Sequence, residues 1–397
     1  MEDGYFRKGF GLKQEIAGEL ATAYHSGLVE HLKAHDYTLT VGELTVRLAR
    51  EFGFCYGVDR AVEYAYETRR KFPDRRLFLV GEIIHNPHVN ARLRELGVTI
   101  IGYDPDGEFD FSPIRPADVV LIPAFGVTVR DFERLQAISC VRVDTTCGSV
   151  LNVWKRVERY AKDGFTSVVH GKHYHEETKA TVSQAGRFGA GKYLIVRDMD
   201  QALVLCHWIE RRDNAADMEA TFAGRVSAGF DFARDLERIG VANQTTMLAG
   251  ESLAIAARIG EALARRYGPD QLASRFRSFD TICSATQDRQ DAVLALIEEP
   301  LDAMVVVGGY NSSNTTNLAR ICAARVTTYH IADADCIQPA TGVIRHKPVD
   351  APGEVEVAGW LDGVTRIGIT AGASTPNNKI GEAVGRVLES RGLRVDV

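Results

Sequence analysis

The chain has 397 residues, 45% of them apolar, and carries 47 Lys and Arg against 53 Asp and Glu, a net charge of −6. That length predicts two to four domains at roughly 100–200 residues each, with room for a large core. No basic run stands out that would follow a phosphate backbone, and no apolar stretch nears the roughly 18 residues of a bilayer span, so nucleic acid and membrane are excluded as partners.

The N-terminus, MEDGYFRKGFGLKQEIAGEL, mixes Glu2, Asp3 and Glu15 with basic side chains. It lacks the apolar core of a secretory signal and the Ser-rich, acid-poor look of a transit peptide, which favours a bacterial cytoplasm over a plastid stroma. Seven cysteines, an odd number with no disulfide framework, agree with a reducing compartment.

From about residue 45 the chain repeats itself. TVRLAREFGFCYGVDRAVEYAYETRRK reads as a strand running into Gly53 and Phe54, then Cys55, then a helix with Val58, Val62, Ala65 and Tyr66 at helical spacing. RLFLVGEIIHNPHVNARLREL follows as strand, glycine, polar loop and helix, and VVLIPAFGVTVRDFERL as strand, turn and helix. The cycle restarts at CVRVDTTCGSVLNVWKRVERYAKDG, where a strand at Val141 to Val143 precedes Cys147, and Val150, Val153, Trp154 and Val157 follow it. TSVVHGKHYHEETKATVSQ and RIGVANQTTMLAGESLAIAARI complete that copy. The third opens with FDTICSATQDRQDAVLALIEE, in which Cys283 precedes Gln290, Val293, Leu294 and Ile297, and ends with AMVVVGGYNSSNTTNLARI and RIGITAGASTPNNKIGEAVGRV. Register holds across the copies: 26 residues from Cys55 to Gly81, 24 from Cys147 to Gly171 and 26 from Cys283 to Gly309.

Strands alternating with helices predict parallel α/β layers, and three copies predict three similar domains. The expected division is an extension over 1–45, a first domain over 46–140 completed by 364–397, a second over 141–250, a third over 251–338, and an irregular connection over 339–363. Ligands of open parallel sheets gather at the carboxyl ends of strands, where the polar loops fall, so the three cysteines are expected to converge on a central cavity.

Each cysteine stands at or near a helix start, where the macrodipole favours a thiolate. Three thiolates leave a fourth coordination position open to water or substrate. Zinc is one occupant; an all-thiolate shell suits an iron-sulfur cluster at least as well. Cys140, Cys206, Cys322 and Cys336 share no such register and read as packing. The polar loops hold His85, His175, Thr245, the run Asn311 to Asn314 and Ser374, mostly neutral donors backed by helix N-termini, an inventory suited to phosphate or diphosphate. No Walker-type loop and no complete GxGxxG fingerprint follows a strand, which leaves nucleotide binding little support. Of the adjacent Glu176 and Glu177, one is a candidate proton donor, because enclosure beside a polyanion disfavours the charged carboxylate.

The motifs GFCYGVDRAV, GEIIHNPHV, DTTCGSV, HYHEETKAT, NQTTM, ICSATQDRQDAV, GGYNSSNTTNLA and TAGASTPN, in this order, resemble the 4-hydroxy-3-methylbut-2-enyl diphosphate reductase (IspH or LytB) family in its cyanobacterial and plastid branch. The resemblance implies an α/β fold of three pseudo-threefold-related domains with parallel sheets, a trefoil around one 4Fe-4S cluster held by Cys55, Cys147 and Cys283. It implies substrate contacts from His85, His175, Thr245, Ser312, Ser313, Asn314 and Ser374. Glu177 falls at the proton-donating acid, relayed through Thr245, with Glu176 a bystander. The implied reaction is reductive dehydroxylation of an allylic diphosphate to isopentenyl and dimethylallyl diphosphates, the last step of the methylerythritol phosphate pathway. Ferredoxin or flavodoxin is the implied electron donor, and the expected state is a monomer or homodimer.

Two positions depart from the pattern. Phe125 in PAFGV stands where many bacterial members carry His, which removes one phosphate donor. Gly148 stands where the family usually has Pro, which is expected to loosen the turn after Cys147. Two further readings remain open from the residues: a non-redox iron-sulfur or zinc lyase acting on a small diphosphate, and a non-catalytic diphosphate-binding cluster protein.

Overall fold

The computed structural model describes residues 4–187, 189 and 191–395. The first three residues of the expected extension and the last two of the C-terminal segment lie outside them. The chain forms two compact units, one of residues 1–7, 78–81 and 101–283, the other of 8–77, 82–100 and 284–397. Among the described residues no helix is long and apolar enough to cross a membrane.

The first unit holds two sheets. One sets Tyr5–Phe6, Val141–Asp144, Val119–Ile122 and residues 78–80 side by side. The other runs Phe276–Ser278, Ile239–Asn243, Thr166–His170 and Tyr193–Val196, all parallel. Thr166–His170 and Ile239–Asn243 are buried along their whole length, as parallel strands covered on both faces must be. Val168, Val241 and Leu194 pack with Leu205, Trp208, Ile255 and Ile259 of helices Met199–Arg211 and Ala249–Tyr267. The alternate residues Val169, Ala242 and Ile195 pack with Val153, Val157 and Tyr160 of helix Gly148–Lys162. Side chains alternate across a strand, so one apolar run serves two helical layers. Only glycine fits at 240, where a Cβ would lie 2.5 Å from the Tyr160 ring.

The second unit is built on Thr328–Ile331, Ala303–Val307, Arg366–Ala371 and Leu44–Leu48 in parallel, with Thr38–Val41 antiparallel at the edge. Helices Gly27–Ala34 and Asn377–Glu389 cover one face through Val29, Leu32, Val384 and Val387. The other face, with Met304 and Val306, meets Val293 and Leu296 of helix Ser284–Leu296 and Leu318 of helix Ser313–Ala323. The α/β class with parallel sheets is therefore as expected.

The sheets cut across the boundaries expected at 46, 141 and 251. Val141–Asp144 pairs with Val119–Ile122, and Phe276–Ser278 pairs with Ile239–Asn243. Leu44–Leu48 does pair with Arg366–Ala371, but the same sheet continues into Ala303–Val307 and Thr328–Ile331. The strands before Cys147 and Cys283 each join the sheet of strands that precede them, and of the three cysteines Cys283 stands at a boundary between the two units. Segment 339–363, expected to be irregular, holds Val343–His346 and Val355–Ala358, which form an antiparallel sheet with Ile337–Gln338. Pro348, Pro352 and Gly353 between the two longer strands mask their pattern. The extension is folded as well: Tyr5–Phe6 joins a sheet, and Glu67 of helix Tyr56–Lys71 accepts N–H groups of Phe10 (2.6 Å) and Leu12 (2.8 Å) ahead of helix Lys13–Tyr24.

Candidate active site

The three cysteines occupy one structural setting. Cys55 is the N-cap of Tyr56–Lys71, Cys147 is the N-cap of Gly148–Lys162, and Cys283 directly precedes Ser284–Leu296. Each is anchored by the same main-chain bond: Cys55 N–H to Ala373 O at 3.2 Å, Cys147 N–H to Ala124 O at 2.8 Å, and Cys283 N–H to Thr245 O at 3.2 Å. The accepting residue lies two positions past the end of a parallel strand each time, after Ala371, Ile122 and Asn243. These three cysteines are partly exposed and the other four are buried. Burial raises the Cys140 thiol and pushes Cys206 and Cys322 up to about 12, so those three stay protonated at neutral pH. Position at a helix start and partial exposure suit each of the three, taken by itself, to thiolate chemistry.

In the first unit the Thr245 peptide joins two predicted residues. Its carbonyl accepts from Cys283, while its N–H donates to Glu177 Oε1 at 2.6 Å. Glu177, second residue of helix Glu176–Gly186, is 3% exposed. Glu176 is half-exposed and faces the Tyr103 hydroxyl at 3.5 Å. His175 caps the same helix, its Nδ1 accepting the Glu177 N–H at 3.2 Å. That bond selects the neutral tautomer with its proton on Nε2. Phe125 meets His175 edge to face, with ring centroids 6.3 Å apart, directly after the Ala124 carbonyl that anchors Cys147. Residue 125 thus offers no side-chain hydrogen-bond donor, and its ring packs against the His175 imidazole. Gly126 allows this turn, with φ +77° and a Cβ position only 2.4 Å from Trp154.

In the second unit residues 373 and 374 have the corresponding role. Ala373 accepts from Cys55 and donates its own N–H to Asn314 Oδ1 at 2.9 Å. Asn314 is the second residue of helix Ser313–Ala323, as Glu177 is of its helix. Its Nδ2 is buried without a hydrogen-bond partner among the described residues. Ser312 caps this helix, and its Oγ accepts from the Thr315 N–H (3.3 Å) and the Thr315 hydroxyl (3.0 Å), which leaves the Ser312 proton to donate outward. Ser313 is buried in the first turn of the helix. The Ser374 hydroxyl donates to His85 O at 3.2 Å, so its proton is engaged within the protein.

His85 Nδ1 lies 2.9 Å from Glu82 Oε2, which also accepts from Asn311 Nδ2 at 3.0 Å. Glu82 was not among the predicted residues; its three-residue spacing before His85 in GEIIH was the available signal. Ala124 and Ala373 act through main-chain atoms and have no side-chain signal.

Fold and site together define an α/β protein of parallel sheets in which three equivalent cysteines open three helices beside donor-rich loops. The LytB protein family model matches residues 46–388, and the chain belongs to that family. It is 46% identical over 394 residues to the 4-hydroxy-3-methylbut-2-enyl diphosphate reductase of Gloeobacter violaceus, covering 98% of this chain and 93% of that one. The enzyme of the same name from Thermosynechococcus vestitus is 47% identical over 393 residues, with 98% and 96% covered. Among solved structures, (E)-4-hydroxy-3-methyl-but-2-enyl diphosphate reductase, the terminal enzyme of the non-mevalonate pathway, matches with a TM-score of 0.52 and 28% identity over 87% of this chain and 99% of that one. The E-1-hydroxy-2-methyl-but-2-enyl-4-diphosphate reductase from Plasmodium falciparum shares the fold, with a TM-score of 0.63 and 21% identity over 86% of this chain and 87% of that one.

Proposed function

We propose that the chain reduces 4-hydroxy-3-methylbut-2-enyl diphosphate to isopentenyl and dimethylallyl diphosphates. The C–O bond to the allylic hydroxyl breaks, two electrons and two protons are taken up, the hydroxyl leaves as water, and the second proton goes to carbon. The observation that carries this reading is the shared anchoring of Cys55, Cys147 and Cys283, with Glu177 bound to the Thr245 peptide that anchors Cys283. The three cysteines would hold one 4Fe-4S cluster, which supplies electrons and a Lewis-acidic iron when bound. An electron carrier of the ferredoxin or flavodoxin class is the proposed source of those electrons.

The protein's own groups bind and protonate. His175 Nε2–H, the Ser312 hydroxyl and Asn314 Nδ2 are donors suited to a diphosphate. Ser313, Ser374, His85 and Thr245 are proposed to complete the substrate contacts. Glu177 Oε1 is engaged by the Thr245 N–H, so a proton on this carboxyl resides on Oε2, from which it is delivered to the departing hydroxyl.

Glu177→Gln retains an acceptor for Thr245 but cannot deliver that proton. Turnover should fall about 10²- to 10⁴-fold with iron and sulfide content unchanged. Glu176→Gln should remain near wild type. Anaerobic single-turnover product analysis with a chemically reduced protein measures both; equal losses in the two variants would remove Glu177 from the reaction. Turnover without any reductant would instead select a non-redox lyase.

A further inference from the structure

Arg289 brings a full positive charge into the interior. It is 4% exposed, on helix Ser284–Leu296, and none of its contacts among the described residues is a carboxylate hydrogen bond or ion pair. Its donors go to backbone carbonyls: Nη2 to Gly53 (2.7 Å), Phe54 (3.2 Å) and Phe52 (3.4 Å), Nε to Gly53 (3.2 Å), and Nη1 to Ala285 (2.8 Å). Three of the four acceptors are the consecutive residues that lead into Cys55.

The opposite side of this turn is held as tightly. Gly53 N–H donates to Ala371 O at 3.3 Å and Cys55 N–H to Ala373 O at 3.2 Å. Gly53 has φ +68°, and a Cβ there would lie 3.1–3.2 Å from Ile380, Asn377 and Thr375. A left-handed residue pressed against neighbours is strained for any side chain but hydrogen, so the turn has little freedom on that side. Arg289 closes the other side. Asp59 of helix Tyr56–Lys71 feels this charge without a hydrogen bond to it, and a buried guanidinium is costly unless its hydrogen bonds and nearby negative charge offset it.

We propose that Arg289 is a positioning residue for Cys55: its planar fork fixes the 52–54 carbonyls so that the thiolate is presented for ligation, and its charge opposes the negative charge that the three ligating thiolates bring together. This rests on the cluster reading above. Lysine cannot substitute, because a single ammonium offers a point charge where three carbonyls need a fork.

The test uses full-length, anaerobically purified protein and the variants Arg289→Lys and Arg289→Gln. Iron release to a chelator is followed while iodoacetamide traps each cysteine, with site-by-site quantification by mass spectrometry. The lysine variant should release iron about tenfold faster, with Cys55 trapped first and its trapping rate rising more than that of Cys147 or Cys283. The glutamine variant should in addition show a lower cluster midpoint potential than wild type or Arg289→Lys, because the reduced, more negative cluster loses a nearby cation. Should Arg289→Gln fail to fold, Arg289→Lys decides alone. Wild-type trapping of Cys55 in the folded variants overturns the proposal, as does an equal rise at all three cysteines, which reports general loosening. Wild-type protein without iron and sulfide overturns the cluster reading separately; Cys55 trapping then still decides whether Arg289 fixes the turn.

Discussion

Residue type, at equivalent positions, separates the proposed roles of Glu177 and Asn314. Both are second residues of their helices, and both accept the N–H of the peptide whose carbonyl anchors a cysteine. The carboxylate keeps an oxygen that can carry a proton, whereas the amide keeps a donor. Asn314→Asp tests this division, because its Oδ1 still accepts from Ala373 while a negative oxygen replaces the donor facing the proposed diphosphate. Losing a hydrogen bond to a charged group costs about 1.5–3 kcal/mol, so substrate affinity should fall at least roughly tenfold with little loss of fold stability. Anaerobic calorimetry with the diphosphate substrate measures it; unchanged affinity would place the diphosphate elsewhere. At this scale much was legible. Glu177 was separated from Glu176 by the motif, and its burial agrees. Arg289 was not, although it stands within the quoted ICSATQDRQDAV, since a charged residue at helical spacing ordinarily reads as solvated surface.

At the scale of elements, helical periodicity located the buried faces of Tyr56–Lys71 and Gly148–Lys162 through Val58, Val62, Val153 and Val157. For Ser284–Leu296 and the residue after it, the expected Gln290, Val293 and Ile297 are buried but Leu294 is 42% exposed, and Thr286, Arg289 and Leu296 are buried as well. Of the polar residues on the buried side, Arg289 bonds the 52–54 carbonyls that lead into Cys55 rather than packing as core. Sheet membership was also illegible, since strand pairing depends on contacts far apart in sequence that periodicity does not encode. Gly148 is the element-level departure with a measurable consequence. It is the first residue of its helix, has no positive φ, and has open space where a Cβ would go. Cys147 before it has φ −62° and ψ 143°, a conformation compatible with a following proline. The turn is therefore already held in the form proline prefers, and glycine costs only unfolded-state entropy. Gly148→Pro should stabilise the protein by about 0.4–1 kcal/mol and leave iron binding intact. Urea unfolding checks this; a lower midpoint would mean that the Gly148 N–H has a structural partner.

Across the whole molecule, acid sensitivity follows from two buried histidines, one in each unit. His170 ends strand Thr166–His170, with Nδ1 2.8 Å from Ser252 Oγ, and His330 lies in Thr328–Ile331, with Nε2 3.0 Å from Gly308 O. Burial lowers both to about 4, because neither site solvates an imidazolium well. In the unfolded chain each returns to about 6.5, so between these values the unfolded state binds more protons. Stability is therefore fully retained above about pH 6.5 and declines as the pH falls toward 4, where the folded protein begins to protonate as well. The slope approaches about 1.4 kcal/mol per pH unit for each histidine within that window. Urea unfolding at intervals from pH 7.5 to 4.5 should show this decline, and the double variant His170→Gln, His330→Gln should flatten it, since neither glutamine titrates. A wild-type profile level over that range, or a double variant with an undiminished slope, would assign the acid sensitivity to other groups.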